Sequence, residues 1–154
     1  MKKQFLKLML AMLLLVITAC GSIETAIYDQ YSYQQEISLR VETKNLLAHA
    51  TEPYTSYKTE VEKLLLEMEK MEEYEKNKPN NILSYKMWQL MTDVDKNSVA
   101  GLFKLWKEKG QLSVVFLDEA SEQVMEAFDA LIKYEASKNK ENESVLSTIL
   151  SSSN

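Results

Sequence analysis

A thiol, an imidazole and two clusters of carboxylates are the side chains whose surroundings invite a chemical reading. Cys20 is the one cysteine of the chain. It follows Ile17-Thr18-Ala19, an aliphatic residue and two small ones, and its thiol is a nucleophile open to acylation. His49 is the one histidine. A general base needs an acid, a nucleophile or a metal beside it. The sequence offers Glu42 on one side and Glu52 on the other, with no nucleophile in an activating context. A histidine at a helix end, meeting the carbonyl dipole, is the expectation instead. Asp93, Asp95 and Asn97 fall at the first, third and fifth places of a calcium loop. The place that needs glycine holds Ser98, and the place that needs a bidentate glutamate holds Lys104. An Asp/Asn-rich loop capping the next helix is therefore expected. Val114-Val115-Phe116-Leu117 runs into Asp118-Glu119, the order that holds Mg²⁺ in nucleotide hydrolysis. That chemistry requires a phosphate loop of the form G-x-x-x-x-G-K-[ST], which the chain lacks. These residues assign no catalytic group, no metal ligand and no cofactor, and the chain reads as a non-enzyme.

The most specific pattern lies around Cys20. Lys2, Lys3 and Lys7 open the chain, and residues 8–17 form an apolar run. That run is ten residues, short of the roughly 20 that a membrane-spanning helix needs. A basic start, a short apolar core and a small-residue boundary make a secretory signal peptide over residues 1–19, with the lysines held on the cytoplasmic side. The boundary Ile17-Thr18-Ala19-Cys20 resembles the lipobox of bacterial lipoproteins, a resemblance confined to about the first 20 residues. It implies cleavage between Ala19 and Cys20, palmitate-type diacylation of the Cys20 thiol and acylation of the new N-terminus. Two or three acyl chains, at about 0.8 kcal/mol per buried methylene, make a stable anchor where one would not. Gly21 and Ser22 follow, with no aspartate of the kind that resembles an inner-membrane retention signal in enteric bacteria. The implied address is the cell envelope outside the cytoplasm. It is the outer membrane in a Gram-negative host and the outer face of the plasma membrane in a Gram-positive one.

The elements that must carry any surface are helical. The 154 residues include only three glycines and two prolines, and Met, Leu, Glu and Lys abound. An all-α fold is expected: a small bundle of three long helices plus two short ones. After residues 20–27, read as a lipidated tether, the bundle domain spans 28–139. The first long helix grows from a tyrosine-rich stretch with Tyr28, Tyr31 and Tyr33. Its apolar marks are Ile23, Ile27, Ile37, Val41, Leu46, Leu47 and Ala50, and it ends before Pro53. The second has the clearest stripe, Tyr57, Val61, Leu64, Met68 and Met71, with Leu65 beside it. Its charged back offers Glu72 and Lys76 as an i,i+4 pair. Ser84 and Ser98 are expected to cap two short helices, and Gly110 to end the second of them. These carry Trp88, Phe103 and Trp106, expected to plug an open end of the bundle. The last long helix starts at Ser113, with Leu117, Ser121, Val124, Phe128, Leu131 and Glu135 on its stripe. Residues 140–154 read as a weakly ordered polar tail, interrupted by Val145-Leu146 and Ile149-Leu150.

Formal net charge is −5, and residues 1–19 hold lysines without acids, so the remainder is more acidic still. That sign disfavours nucleic acid, whose phosphates need a basic surface. The leading expectation is a membrane-anchored, non-enzymatic protein-interaction or structural component of the envelope. Its partners would be membrane lipid, through acylated Cys20, and a protein. One alternative is a protective, immunity-type lipoprotein that blocks a basic toxin, lytic enzyme or phage by electrostatic steering. Another is a bundle that binds an apolar ligand between Trp88, Phe103, Trp106, Phe116 and the methionines.

Overall fold

The structure, a computed structural model, describes residues 27–152. Ala19, Cys20 and the signal segment lie outside the described residues. Within them the chain is all-helical, with six α-helices: α1 Gln30–Leu47, α2 Lys58–Lys76, α3 Ile82–Thr92, α4 Val99–Lys109, α5 Val114–Ala136 and α6 Lys140–Ser152. A 3₁₀ turn, Tyr54–Ser56, leads into α2. Helix α1 lies between α2 and α5, α3 packs on α2, and α6 packs on both α5 and α3.

Helices α2 and α5 bury the stripes expected of them. Val61, Leu64, Met68 and Met71 of α2 are in the core, as are Leu117, Val124, Phe128 and Leu131 of α5. Ser121 is only half-buried. Ser113 caps α5 by accepting the Phe116 N–H at 3.3 Å. Ser98 caps α4 by accepting the Gly101 N–H at 3.0 Å, and Gly110 ends α4 at φ +77°. Gly101 has a separate reason to be glycine: a Cβ there would stand 2.0 Å from the Lys96 carbonyl oxygen.

Four expectations are corrected. The apolar marks Ile37 and Val41 of α1 are 38% and 49% exposed, and the buried face is Ser32, Glu36, Leu39, Thr43 and Leu47. The start of α1 meets polar ends of α2 and α5, so polar side chains face inward there and the apolar period no longer marks the core. Ser84 does not cap α3. The helix begins at Ile82, and Ser84 is buried inside it. The Asn81 side chain is turned away from the helix start, its amide donating to the Glu75 carbonyl at 3.1 Å and its oxygen accepting from Lys138 at 3.4 Å, so α3 starts with no side-chain cap. Lys76 pairs with Glu73 at 3.0 Å rather than Glu72, which accepts the Thr92 hydroxyl at 2.5 Å. Finally, residues 140–152 form a packed helix. Leu146 is fully buried, and Ile149 and Leu150 rest against the core. Asn142 fastens its start, donating to the Ser137 carbonyl at 2.7 Å and the Lys133 carbonyl at 3.1 Å. The apolar burst was legible, but its partner surface on α3 and α5 was not.

The tryptophans are integral to the core. Trp88 meets Phe128 edge-on at 6.3 Å, and Trp106 meets Tyr54 at 5.5 Å while its Nε1 donates to the Glu52 carbonyl at 2.9 Å. Two backbone bonds close this end of the bundle: Leu112 N–H to Ala50 O at 2.9 Å and Tyr54 N–H to Gly110 O at 2.8 Å. Between α1 and α5, Arg40 makes a two-pronged pair with Asp129 at 2.7 and 2.9 Å.

Candidate functional site

Helices α1 and α5 run antiparallel, so the bundle has two distinct ends. One end holds residue 29, the first turn of α1 and the last turns of α2 and α5. The other holds the end of α1 and the start of α5.

The first end is a polar clamp. Asp29 caps α1, accepting the Tyr31 N–H at 2.9 Å, and also accepts the Tyr74 hydroxyl at 2.7 Å. Its own N–H donates to Glu135 Oε1 at 2.6 Å, tying the start of α1 to the end of α5. Lys78 stands 3.2 Å from Glu75, 3.4 Å from Asp29 and 3.8 Å from Glu135. Lys138 lies 2.8 Å from Glu135 Oε2, off the hydrogen-bond direction. Ser32 Oγ and the Asn81 amide both donate to the buried Glu75 carboxylate. Partial burial pushes the Asp29 carboxyl up, but its bonds to Tyr74 and Tyr31 and the charge of Lys78 outweigh this and leave it lowered. The same bond to Asp29 pushes the Tyr74 hydroxyl up to about 12.

Glu36 sits beneath this clamp with 0% exposure and no hydrogen-bond partner for either oxygen. Burial pushes its carboxyl well above the usual range. The charges of Glu135 and Glu75 push the same way, against Lys78 and Lys138. The arrangement suits holding protons and lysines and fixing helix ends. Its hydroxyl and amine, Ser32 Oγ and Lys78 Nζ, are both engaged with Glu75. Sequence reading placed Glu135 on a stripe but passed over Glu36, Glu75, Lys78 and Asp29. The available signal was that Glu75 follows Met71, and Glu135 follows Leu131, by one helical step on an otherwise apolar face.

His49 joins the nearer of its two expected acids. Its Nδ1 is 2.8 Å from Glu52 Oε1 and 2.9 Å from the Tyr57 hydroxyl, and its ring stacks on Tyr57 with centroids 4.6 Å apart. Tyr57 donates to Glu52 Oε2 at 2.8 Å, so the three side chains close on one another. The bonds from His49 and Tyr57 lower the Glu52 carboxyl, and the bond to Glu52 raises the Tyr57 hydroxyl. Asp95, the second acid of the calcium-loop pattern, is held by Lys104 at 2.7 Å, and Asp93 Oδ1 accepts the Asp95 N–H at 2.9 Å. Those acids brace the loop before α4. Asp118 and Glu119 point to solvent from the first turns of α5.

At the second end a groove of about 480 Å³ opens between α4 and α5. Leu102 and Leu105 line one side, and Phe116, Ala120 and Val124 the other. Phe116 is 41% exposed, and Val114 and Val115 beside it are 63% and 76% exposed. Of the aromatics expected around an apolar ligand, only Phe116 lines this groove. Trp88, Phe103 and Trp106 are packed in the core. No protein-family model, curated protein or solved structure matches the chain, so its own residues carry the functional reading.

Proposed function

We propose that this chain is a lipid-anchored lipoprotein of the bacterial cell envelope, and that its helical domain is a non-enzymatic protein-interaction or structural component there. The observation that carries the reading is the order Lys2-Lys3, apolar run, Ile17-Thr18-Ala19-Cys20, with Cys20 the sole thiol. Acylated Cys20 binds the membrane, and the domain binds a protein. The finer architecture in this reading is a scaffold of three long helices, α1, α2 and α5, bearing the short α3 and α4, with α6 laid across them. Two features support such a role. The polar cluster around Glu75 and Glu135 braces helix ends, and apolar side chains such as Val114, Val115 and Phe116 stay exposed on the surface.

Metabolic labelling with palmitate in cells producing the full chain tests the anchor. The expected result is label on the wild type, none on Cys20→Ser, and a mature N-terminus at Cys20. A purified native protein that keeps residues 1–19 and carries no fatty acid overturns it.

A further inference from the structure

Resting on the lipoprotein reading, we propose that the end of the bundle at the start of α1 is a membrane face. It lies against the headgroup region of the bilayer that holds acylated Cys20, and lipid covers its exposed tyrosines. Ile27 is 78% exposed, and Tyr28, Tyr31 and Tyr74 are between 39% and 51% exposed. Ile82, at the start of α3, is exposed as well. These side chains share one region. Tyr31 meets the Tyr74 ring edge-on at 4.9 Å, and Tyr28 meets Tyr33 at 6.0 Å. Asp29 accepts the Tyr74 hydroxyl at 2.7 Å, and Lys78, 3.4 Å from Asp29, stands over the Tyr74 ring at 5.7 Å. Ile82 follows Asn81, whose amide donates to the Glu75 carbonyl at 3.1 Å.

The residue types suit a lipid–water boundary. A tyrosine ring is apolar and its hydroxyl needs a polar partner, and the interface offers both together. Tyr74 already has its hydroxyl bonded to Asp29, so its ring can leave water without losing that bond. The lysines around the face are paired: Lys70 with Glu67 at 2.7 Å, Lys76 with Glu73 at 3.0 Å, Lys78 with Glu75 at 3.2 Å and Lys138 with Glu135 at 2.8 Å. Neutral tyrosines and paired lysines do not require an anionic leaflet, and the chain's formal charge of −5 would work against one.

Reach selects the occupant. Ile27 is seven positions beyond Cys20, which spans about 25 Å at most when fully extended. A bilayer holding acylated Cys20 therefore always lies within that distance of the face. Tethering makes its local concentration high, so contacts too weak to recruit a free protein suffice. The opposite end of the bundle also exposes apolar residues, Val114, Val115 and Phe116. It stands farther off by the length of α1, 18 residues or about 27 Å. Distance, and not apolarity, decides which end meets lipid.

The probe is a phosphatidylcholine vesicle with nitroxide on its headgroups, into which the full acylated chain is reconstituted. Acylation blocks Cys20, so a fluorophore can be placed on Gln30→Cys, Leu66→Cys or Val115→Cys, all exposed positions. Quenching at residue 30 is expected to exceed that at residues 66 and 115 at least about threefold. Adding Tyr28→Ser/Tyr31→Ser should lower quenching at residue 30 by about threefold, and Tyr28→Phe/Tyr31→Phe should preserve it. In intact cells, a photocrosslinker at residue 28 should join lipid. Equal quenching at residues 30 and 115, indifference to the serine variant, or adducts at residue 28 to protein in place of lipid would overturn the proposal. Palmitate labelling of the same preparation reads the anchor separately. A labelled chain with residue 30 unquenched defeats the membrane face alone, whereas an unlabelled chain defeats the lipoprotein reading.

Discussion

Replacing Glu36 should make the protein more stable, and by an amount that grows with pH. The carboxyl is fully buried, lacks a hydrogen-bond partner and is raised well above its ordinary value of 4.5. The folded state therefore holds a proton that the unfolded state releases. Where the native state binds more protons, stability falls as pH rises. The loss begins near pH 4.5 and ends once pH passes the folded value. Each unit of pH inside that window removes about 1.4 kcal/mol. Glu36→Gln keeps the shape and cannot ionise, and Glu36→Leu removes the polar atoms altogether. A buried polar group left without a hydrogen-bond partner costs about 1–3 kcal/mol, a sizeable share of the roughly 5–15 kcal/mol holding a typical domain together. Asp29 bends the curve the other way. Its lowered carboxyl adds stability above 3.8 that is lost as pH falls through its folded value, below the Glu36 window. Urea unfolding of the purified chain, followed at steps from pH 4.5 to 7.5, reads the difference between wild type and variant. Common titrations cancel in that difference. It should be small near pH 4.5 and widen in favour of both variants up to the folded value. A gap that stays flat across the range, or variants less stable than wild type near neutrality, would refute the account of Glu36 as a protonated carboxyl held at the cost of stability.

Gly101→Ala should lower the melting temperature, because the added methyl would lie 2.0 Å from the Lys96 carbonyl oxygen. Overpacking of this kind costs about 1–3 kcal/mol and exceeds the roughly 1 kcal/mol of helix propensity that alanine brings. Leu146→Ala empties a fully buried site, so α6 should loosen at a cost of about 2–5 kcal/mol. Limited proteolysis should then cut first within residues 140–152, and equal resistance of wild type and variant would show that α6 does not depend on this contact. For Arg40 and Asp129, whose side chains are 27% and 47% exposed, a double-mutant cycle in urea should give a coupling of about 0.5–1 kcal/mol that shrinks with added salt.

The legible parts of the fold are those where one physical signal dominates. Helix α2 repeats apolar residues at helical spacing from Val61 to Met71 against a charged back, and α4 is bracketed by Ser98 and Gly110, so local rules suffice. Helix α1 is different. The face with Ile37 and Val41 competes with one bearing Ser32, Glu36 and Thr43, and the second is buried because carboxylates and lysines from α2 and α5 converge there. Asp29 and Glu135 are 106 positions apart and meet at 2.6 Å, a pairing that no window along the chain reveals. The same holds for α6, whose Leu146 looks like a stray apolar residue until α3 and α5 supply a surface for it. The proposed lipidation pattern is the reverse case: Ile17-Thr18-Ala19-Cys20 stands in consecutive residues and is legible without a fold.

The two ends of the bundle are held by different kinds of contact. The end where residue 29 enters contains the start of α1. It is held there by Glu135 through its backbone, by Tyr74 and Lys78 through its side chain, and by Ser32 bonded to Glu75 one turn on. These bonds engage both α2 and α5, so separating α1 means breaking charge-assisted contacts together, which an apolar end with fewer directional contacts would not require. The buried Glu36 is the strain that accompanies this concentration of acids: Lys78 and Lys138 stand beside Glu75 and Glu135, and Glu36 beneath them is left to carry a proton. The opposite end bears no such clamp and leaves Val114, Val115 and Phe116 in water. The bundle thus closes one end with charge-assisted bonds from Asp29, Lys78 and Glu135, and the other with the Trp106–Tyr54 contact and the backbone bonds of Leu112 and Tyr54.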